Sequence, residues 1–176
     1  HLKNGEEKYI GIDKEILKLE QCVFVQGDLE IDDELFLYTD VSGARYPAAG
    51  NKKLKKRTAA GFVQDAFDHE QCLVITQDGK RILLSGCAHN GILNILDRYK
   101  EIFHSDPDMV ISGFHLMKEG EYSPEDVLNI RDIAHELAGM DTVFYTGHCT
   151  GEEACGMMKE IMGEKLRVIH SGVTIL

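Results

Sequence analysis

The sequence is short of positive charge: 19 lysines and arginines stand against 30 aspartates and glutamates, a formal net charge of -11. Such a chain repels phosphate backbones and anionic headgroups, so neither nucleic acid nor a membrane is expected as the main partner. Also missing is any apolar run near the roughly 20 residues a membrane-spanning helix needs. The N-terminus lacks the charged-then-apolar pattern of a secretory leader. There is no CxxC pair, and the five cysteines are odd in number and irregularly spaced. They fit reduced thiols in a cytoplasm better than a disulfide framework. No low-complexity tract or solenoid-period repeat is present. What is there, 43% hydrophobic and 28% charged residues over 176 positions, suits one globular domain with a buried core. The opening His1-Leu2-Lys3-Asn4-Gly5, without an initiator methionine, reads as a start inside a longer protein or as a processed chain.

Periodicity divides the chain in two. From Tyr9 to Thr76 short apolar or alternating runs predominate: Cys22–Val25, Leu35–Tyr38 and Cys72–Ile75 read as strands. A loop from Ala48 to Lys56 carries a basic run, Lys52 to Arg57. A solvated loop is the plainer reading of that run, and a site for an anionic substrate the alternative. Asp78-Gly79 signals a hairpin joining Leu73–Thr76 to Arg81–Leu84. Strand and helix then alternate. Ile82–Leu84 precedes a helix over about 91–103, Met109–Ile111 one over about 124–137, and Val143–Tyr145 one over about 151–162. Ser123-Pro124-Glu125-Asp126 supplies a capping serine, a first-turn proline and acidic groups for the second helix. Thr150 to Glu153 has capping-box spacing for the third. Val168–Ile169 and Val173–Leu176 read as short closing strands. The expected fold class is α/β, layered as α+β.

Three times an apolar strand runs into a glycine and then a histidine. The runs are Ser85-Gly86-Cys87-Ala88-His89, Ser112-Gly113-Phe114-His115 and Thr146-Gly147-His148. Glycine permits a sharp exit from a strand, which presents each imidazole at a sheet edge, where open α/β layers bind ligands. Three imidazoles there suit zinc, manganese or iron. A single histidine after a strand is more often a hydrogen-bonded structural residue; the repetition is what favours a site. His104 and His135 fall in or at the end of helices and read as surface or capping groups. His69, in the acidic run Asp65 to Glu70, reads as structural with metal binding as the alternative. His170 reads as a turn residue.

Gly86-Cys87-Ala88-His89-Asn90-Gly91, Gly113-Phe114-His115-Leu116 and Gly147-His148-Cys149-Thr150-Gly151 resemble, in order and separation, signatures of the metallo-β-lactamase superfamily. The likeness is to a metal-dependent hydrolase branch that includes a methanopterin-pathway dihydropterin synthase, and it runs from about Asp65 to the end. It implies an αββα sandwich, of which this chain would be the C-terminal portion, with a two-metal site along one sheet edge, zinc expected first and manganese or iron as alternatives. It further implies that His89 completes the first metal position and that His148 serves the second. His115 stands where relatives carry an aspartate or cysteine ligand, so it is a terminal ligand or a substrate contact. Asn90 and the helix start after it become candidates for orienting an anionic substrate oxygen. A metal-bound hydroxide would be the nucleophile toward a small-molecule substrate, phosphorylated or pterin-like by the same likeness.

One departure is large: the superfamily's HxHxDH motif is absent, and no two of the eight histidines stand at i and i+2. Truncation, or natural loss of the motif, accounts for this. The expectation is that residues 1–176 form a single, truncated domain with too few ligands for a closed site, inactive alone. Missing strands would leave apolar surface exposed, so a homodimer or a separate N-terminal fragment becomes a candidate partner. Two other readings stay open: a non-catalytic ligand- or partner-binding module, and a thiol enzyme using Cys87 or Cys149.

Overall fold

A computed structural model describes residues 2, 3 and 6–175; His1, Asn4, Gly5 and Leu176, which enter the expectations above, lie outside them. The first half supplies β1 (Leu2–Lys3), β2 (Glu6–Glu7), β3 (Leu29–Glu30), β4 (Leu35–Tyr38), β5 (Lys55–Thr58) and β6 (Gly61–Gln64). The second supplies β7 (Cys72–Gln77), β8 (Lys80–Ser85), α1 (Ile92–Phe103), β9 (Met109–Ile111), α2 (Pro124–Ala138), β10 (Val143–Thr146), α3 (Glu152–Met162) and β11 (Leu166–Val168). Seven strands form one mixed sheet in the order β11-β10-β9-β8-β7-β4-β3, while β1-β2 and β5-β6 are separate antiparallel pairs.

The β7–β8 hairpin turns at Asp78 and Gly79, whose φ angles of 51° and 73° are those of a tight primed turn. From β8 onward the chain can stay parallel because α1 and then α2 return it across one face. One row of side chains crosses six strands on that face: Phe36, Val74, Leu83, Val110, Phe144 and Leu166, each opposite the next. All but Phe36 are fully buried, and they share a core with Ile95 and Leu96 of α1, Ile133 and Leu137 of α2, and Met158 and Met162 of α3. Taking each such side chain out of water contributes about 1.5–3 kcal/mol. Tyr38 closes the core at the β4 end by donating its hydroxyl to the Ile95 carbonyl, 3.1 Å away.

The other face differs. Leu37, Leu73, Leu84 and Ile111 form one apolar row, and Leu35, Ile75, Ile82, Met109 and Val143 a second. All nine are half-buried, and none packs against the helix-lined core.

Several local expectations are corrected. Cys22–Val25 forms no strand; Val23 and Phe24 are 78% and 71% exposed, with no neighbouring strand to pair with among the described residues. The basic run is not all loop, because Lys55–Arg57 enter β5, which pairs with β6. Val173–Ile175 are not a strand either. The Thr150 capping box does not form, since Gly151 caps α3 and the Thr150 hydroxyl is engaged elsewhere. The Ser123 box does form, with Asp126 as its reciprocal partner. Among the described residues no helix is long and apolar enough to cross a membrane.

Candidate metal centre

Parallel register brings the three strand ends side by side, with Leu84 opposite Ile111 and Ile111 opposite Tyr145. Beyond them the exits are tied together. Gly113 N–H donates to the Gly86 carbonyl at 2.9 Å and Ser112 N–H to the Tyr145 carbonyl at 3.0 Å. Thr146 donates to the Ser112 carbonyl at 2.7 Å, and Thr150 accepts from Phe114 N–H at 2.8 Å. With the Thr146 proton committed, the 2.6 Å contact between the two threonines is a donation from Thr150. Glycine is required at the third exit by close approach: a Cβ on Gly147 would lie 2.3 Å from the Ile169 carbonyl oxygen. Ala88, His115 and His148 take φ of 47°, 51° and 52°. Non-glycine residues enter that left-handed region at a cost, and such positions cluster at functional sites.

His89 and His115 meet. Their ring centroids are 4.1 Å apart, and Phe67 stacks on the other face of His89 at 4.4 Å with parallel planes. Asn51 clamps His89 twice: its amide donates to the His89 carbonyl at 2.7 Å, and its Oδ1 lies 3.0 Å from Nδ1. An oxygen there requires the proton on Nδ1, which leaves the Nε2 lone pair for a metal or a substrate proton. The Glu70 carboxylate accepts from the backbone N–H of His89 and Asn90 at 2.6 and 3.1 Å. Asn90 donates its amide to Glu70 and to the Phe67 carbonyl, so its Oδ1 is the atom left to face a substrate.

His115 has both ring nitrogens buried and without a hydrogen-bond partner. Burial, then neighbouring His89 and His148, push its pKa down to about 4 against the pull of Glu70. His89 is lowered too, by burial first and by His69 second. Both rings are therefore neutral at neutral pH, as metal ligation demands. Gly50 leaves them room, since a Cβ there would sit 3.0 Å from His115 Nε2. Buried, unpartnered imidazole nitrogens are what a metal or a substrate would satisfy, so the residues present fit a metal of the kind the histidines suggest.

His148 lies apart from this pair. It is exposed, with Nδ1 3.8 Å from Cys87 Sγ. Among the described residues, two groups of three potential ligands have all their donor atoms within 4.8 Å of one another: Cys87, His148 and Cys149, and Asp65, Asp68 and His69. The three histidines together are not such a group. In the second group, Asp68 is held by Lys56 at 2.6 Å. His104 ends α1, and His135 and His170 are exposed. As a nucleophile Cys149 is poorly placed: burial, then Cys87, push its thiol up to about 12.

Asn51, Glu70, Phe67 and Gly50 complete the site but carry no motif signal; Phe67 and Glu70 lie in the acidic run around His69, and Gly50 and Asn51 in the loop that carries the basic run, so their segments stood out in the sequence but their roles did not. Against His89 and His69 opens a cavity of about 650 Å³ lined by Tyr9, Phe62, Phe67, Lys55, Lys56 and Arg57, among others. That size suits a small organic ligand.

Comparison with known proteins agrees with the geometry. No protein-family model matches the chain. It is 27% identical over 178 residues to an uncharacterized protein of Methanocaldococcus jannaschii, MJ0448, covering 90% of this chain and 58% of that one. To the 7,8-dihydropterin-6-methyl-4-(beta-D-ribofuranosyl)-aminobenzene-5'-phosphate synthase of the same organism it is also 27% identical, covering 99% and 56%. The crystal structure of Tm1679, a metal-dependent hydrolase of the β-lactamase superfamily, superposes with a TM-score of 0.61 at 28% identity, over 85% of this chain and 56% of that one. The chain thus spans a little over half the length of the relatives it matches.

Proposed function

Starting from the metallo-β-lactamase superfamily of metal-dependent hydrolases, to which this chain belongs, we propose that its three strand-end histidines form part of a hydrolytic metal centre. His89 and His148 would be ligands. His115 would be either a terminal ligand or the group that contacts substrate. The observation that carries this is His115, with two buried ring nitrogens that nothing satisfies, 4.1 Å in ring separation from His89. Zinc is the metal we expect, with manganese or iron as alternatives, and with HxHxDH absent from these 176 residues the three histidines alone leave the metal positions short of a closed ligand set. Metal in such a site supplies Lewis acidity and an acidified water.

The chain's own residues prepare the site. Asn51 fixes the His89 tautomer, Glu70 braces the turn that carries His89 and Asn90, and Phe67 excludes water from one face of the ring. Asn90 Oδ1 would accept from a substrate donor. The adjoining cavity supports a small anionic substrate with a flat ring, because Lys55, Lys56 and Arg57 line it together with Tyr9 and Phe62. A phosphorylated or pterin-like compound fits that description, and a relative's name contains both groups. Five free cysteines suit a cytoplasmic setting. We further propose that residues 1–176 act as one domain.

Elemental analysis of untagged protein, with His89→Ala, His115→Ala and His148→Ala beside the wild type, tests the metal reading. Metal should fall in the His89 and His148 variants, and turnover of generic phosphodiester and lactam substrates by the chain alone should stay at background. Stoichiometric metal indifferent to all three substitutions would refute it. The absence of HxHxDH favours a second reading, a binding module without turnover. A pterin or aryl phosphate that binds equally well after exhaustive chelation would select it.

A further inference from the structure

Outside the His89–His115 pair, the same strand ends assemble a different set of donors. Cys87 follows the first exit glycine by one residue, and His148 and Cys149 follow the third. β9 lies between β8 and β10, so these side chains would be separated by the middle exit. The residue there is Gly113, and a Cβ on it would lie only 2.5 Å from Cys149 Sγ. Having no side chain, Gly113 lets the outer exits meet across the gap. The sulfurs of Cys87 and Cys149 and a ring nitrogen of His148 all come within 4.8 Å of one another, and Cys87 Sγ is 3.8 Å from His148 Nδ1.

Those separations can be compared with what a metal needs. For zinc–sulfur bonds of about 2.3 Å and zinc–nitrogen bonds of 2.0–2.1 Å in a tetrahedron, ligand atoms stand roughly 3.5–3.8 Å apart. Cys87 and His148 already stand at that spacing. We propose that, in these 176 residues, where no HxHxDH motif is present to engage His148 in the hydrolytic centre, Cys87, His148 and Cys149 form a thiolate-rich binding site for a single thiophilic divalent cation, apart from the His89–His115 pair, with its fourth position open to solvent.

Other features agree. Two thiolates and a neutral imidazole around a divalent ion make a neutral complex, which limits the desolvation cost of a half-buried site. The Cys149 thiol donates weakly to the Cys87 carbonyl at 3.7 Å, a contact readily given up on metal binding. His148 is exposed, and beside it a cavity of about 420 Å³, bounded by Ser112, Gly147, Ile169 and His170, gives an ion a path from solvent. Soft sulfur donors select zinc, cadmium or cobalt over magnesium or calcium.

The test is a cobalt(II) titration of the full chain under a non-thiol reductant, followed by absorbance. Binding at this site gives intense near-ultraviolet sulfur-to-cobalt charge-transfer bands at one cobalt per chain, bleached by zinc but not by magnesium. Cys87→Ser and Cys149→Ser should each remove about half of that intensity, with far-ultraviolet circular dichroism reporting that the variants are folded. His89→Ala and His115→Ala should leave the bands unchanged, which separates failure of this proposal from failure of the histidine reading above. On the wild type, bound zinc should slow alkylation of Cys87 at least tenfold while Cys22 is unaffected. Cobalt binding without the bands, bands undiminished in folded Cys149→Ser protein, or bands lost with His89 would each overturn the assignment.

Discussion

Thr150 illustrates how one residue can satisfy two rules and obey only one. Its place three residues before Glu153 is a capping-box spacing, yet its hydroxyl lies in the buried chain Thr150 to Thr146 to the Ser112 carbonyl, and it accepts from Phe114 N–H. Burial decides the competition. A helix start can be hydrated, whereas an unpaired N–H at Phe114, which is 1% exposed, cannot. Thr150→Val keeps the shape and removes the acceptor, so it should lower unfolding stability in urea by about 1–3 kcal/mol. It should also loosen the exits that carry His115 and His148. A variant as stable as wild type would mean that the network contributes nothing net. The same competition explains what sequence could and could not reveal about the site. Strand, glycine and histidine are adjacent in the chain, so the placement of His89, His115 and His148 at neighbouring strand exits was legible, whereas the separation of His148 from the other two was not. Asn51 and Phe67 reach His89 across 38 and 22 positions, and no local pattern encodes such contacts.

At the scale of elements, legibility followed how much of each element's stability is local. The Asp78-Gly79 hairpin and the start of α2 are specified by the residues that form them, and both were readable. Cys22–Val25 has strand composition but, among the described residues, no strand beside it, and β-propensity is mostly a preference for packing against neighbours. The α2 start carries its own prediction. Lys118 Nζ, 2.6 Å away, and then Ser123 hold the Asp126 carboxyl well below its ordinary 3.8, at about 2. A depressed carboxyl stabilises the folded state above its unfolded pKa and loses that contribution as pH falls through the folded one. The wild type should therefore lose melting temperature between about pH 4 and pH 2, and Asp126→Asn should lose less over that window. Ser123→Ala, which removes the other half of the box, should cost about 1 kcal/mol at neutral pH. If Asp126→Asn tracked the wild type down the whole acid limb, the Lys118–Asp126 pair would have no part in acid stability.

For the whole molecule the deciding fact is that one sheet face is covered by helices and the other is not. The nine half-buried apolar side chains from Leu35 to Val143 form a continuous two-row surface, and Tyr9, Ile10, Ile12, Val23 and Phe24 add more than half-exposed apolar groups near the N-terminus. Contiguous apolar surface of this kind drives association. The charge of -11 opposes it, because two copies repel one another. The two effects respond differently to salt, since repulsion between exposed charges is screened within a Debye length of about 8 Å at physiological ionic strength while apolar contact is not weakened. The isolated chain should therefore be closest to monomeric in dilute buffer, where the apolar face binds an environment-sensitive dye. It should shift toward dimers as salt is added, losing dye binding as it does so. Light scattering coupled to gel filtration across a salt series checks this directly. Charging the face, for example with Ile82→Lys, should abolish the salt-driven step. A chain that remains monomeric at every salt concentration, melts cooperatively and binds no dye would mean that the second face is satisfied within a single copy, and that no partner, whether a second copy or a separate N-terminal fragment, is needed to cover it.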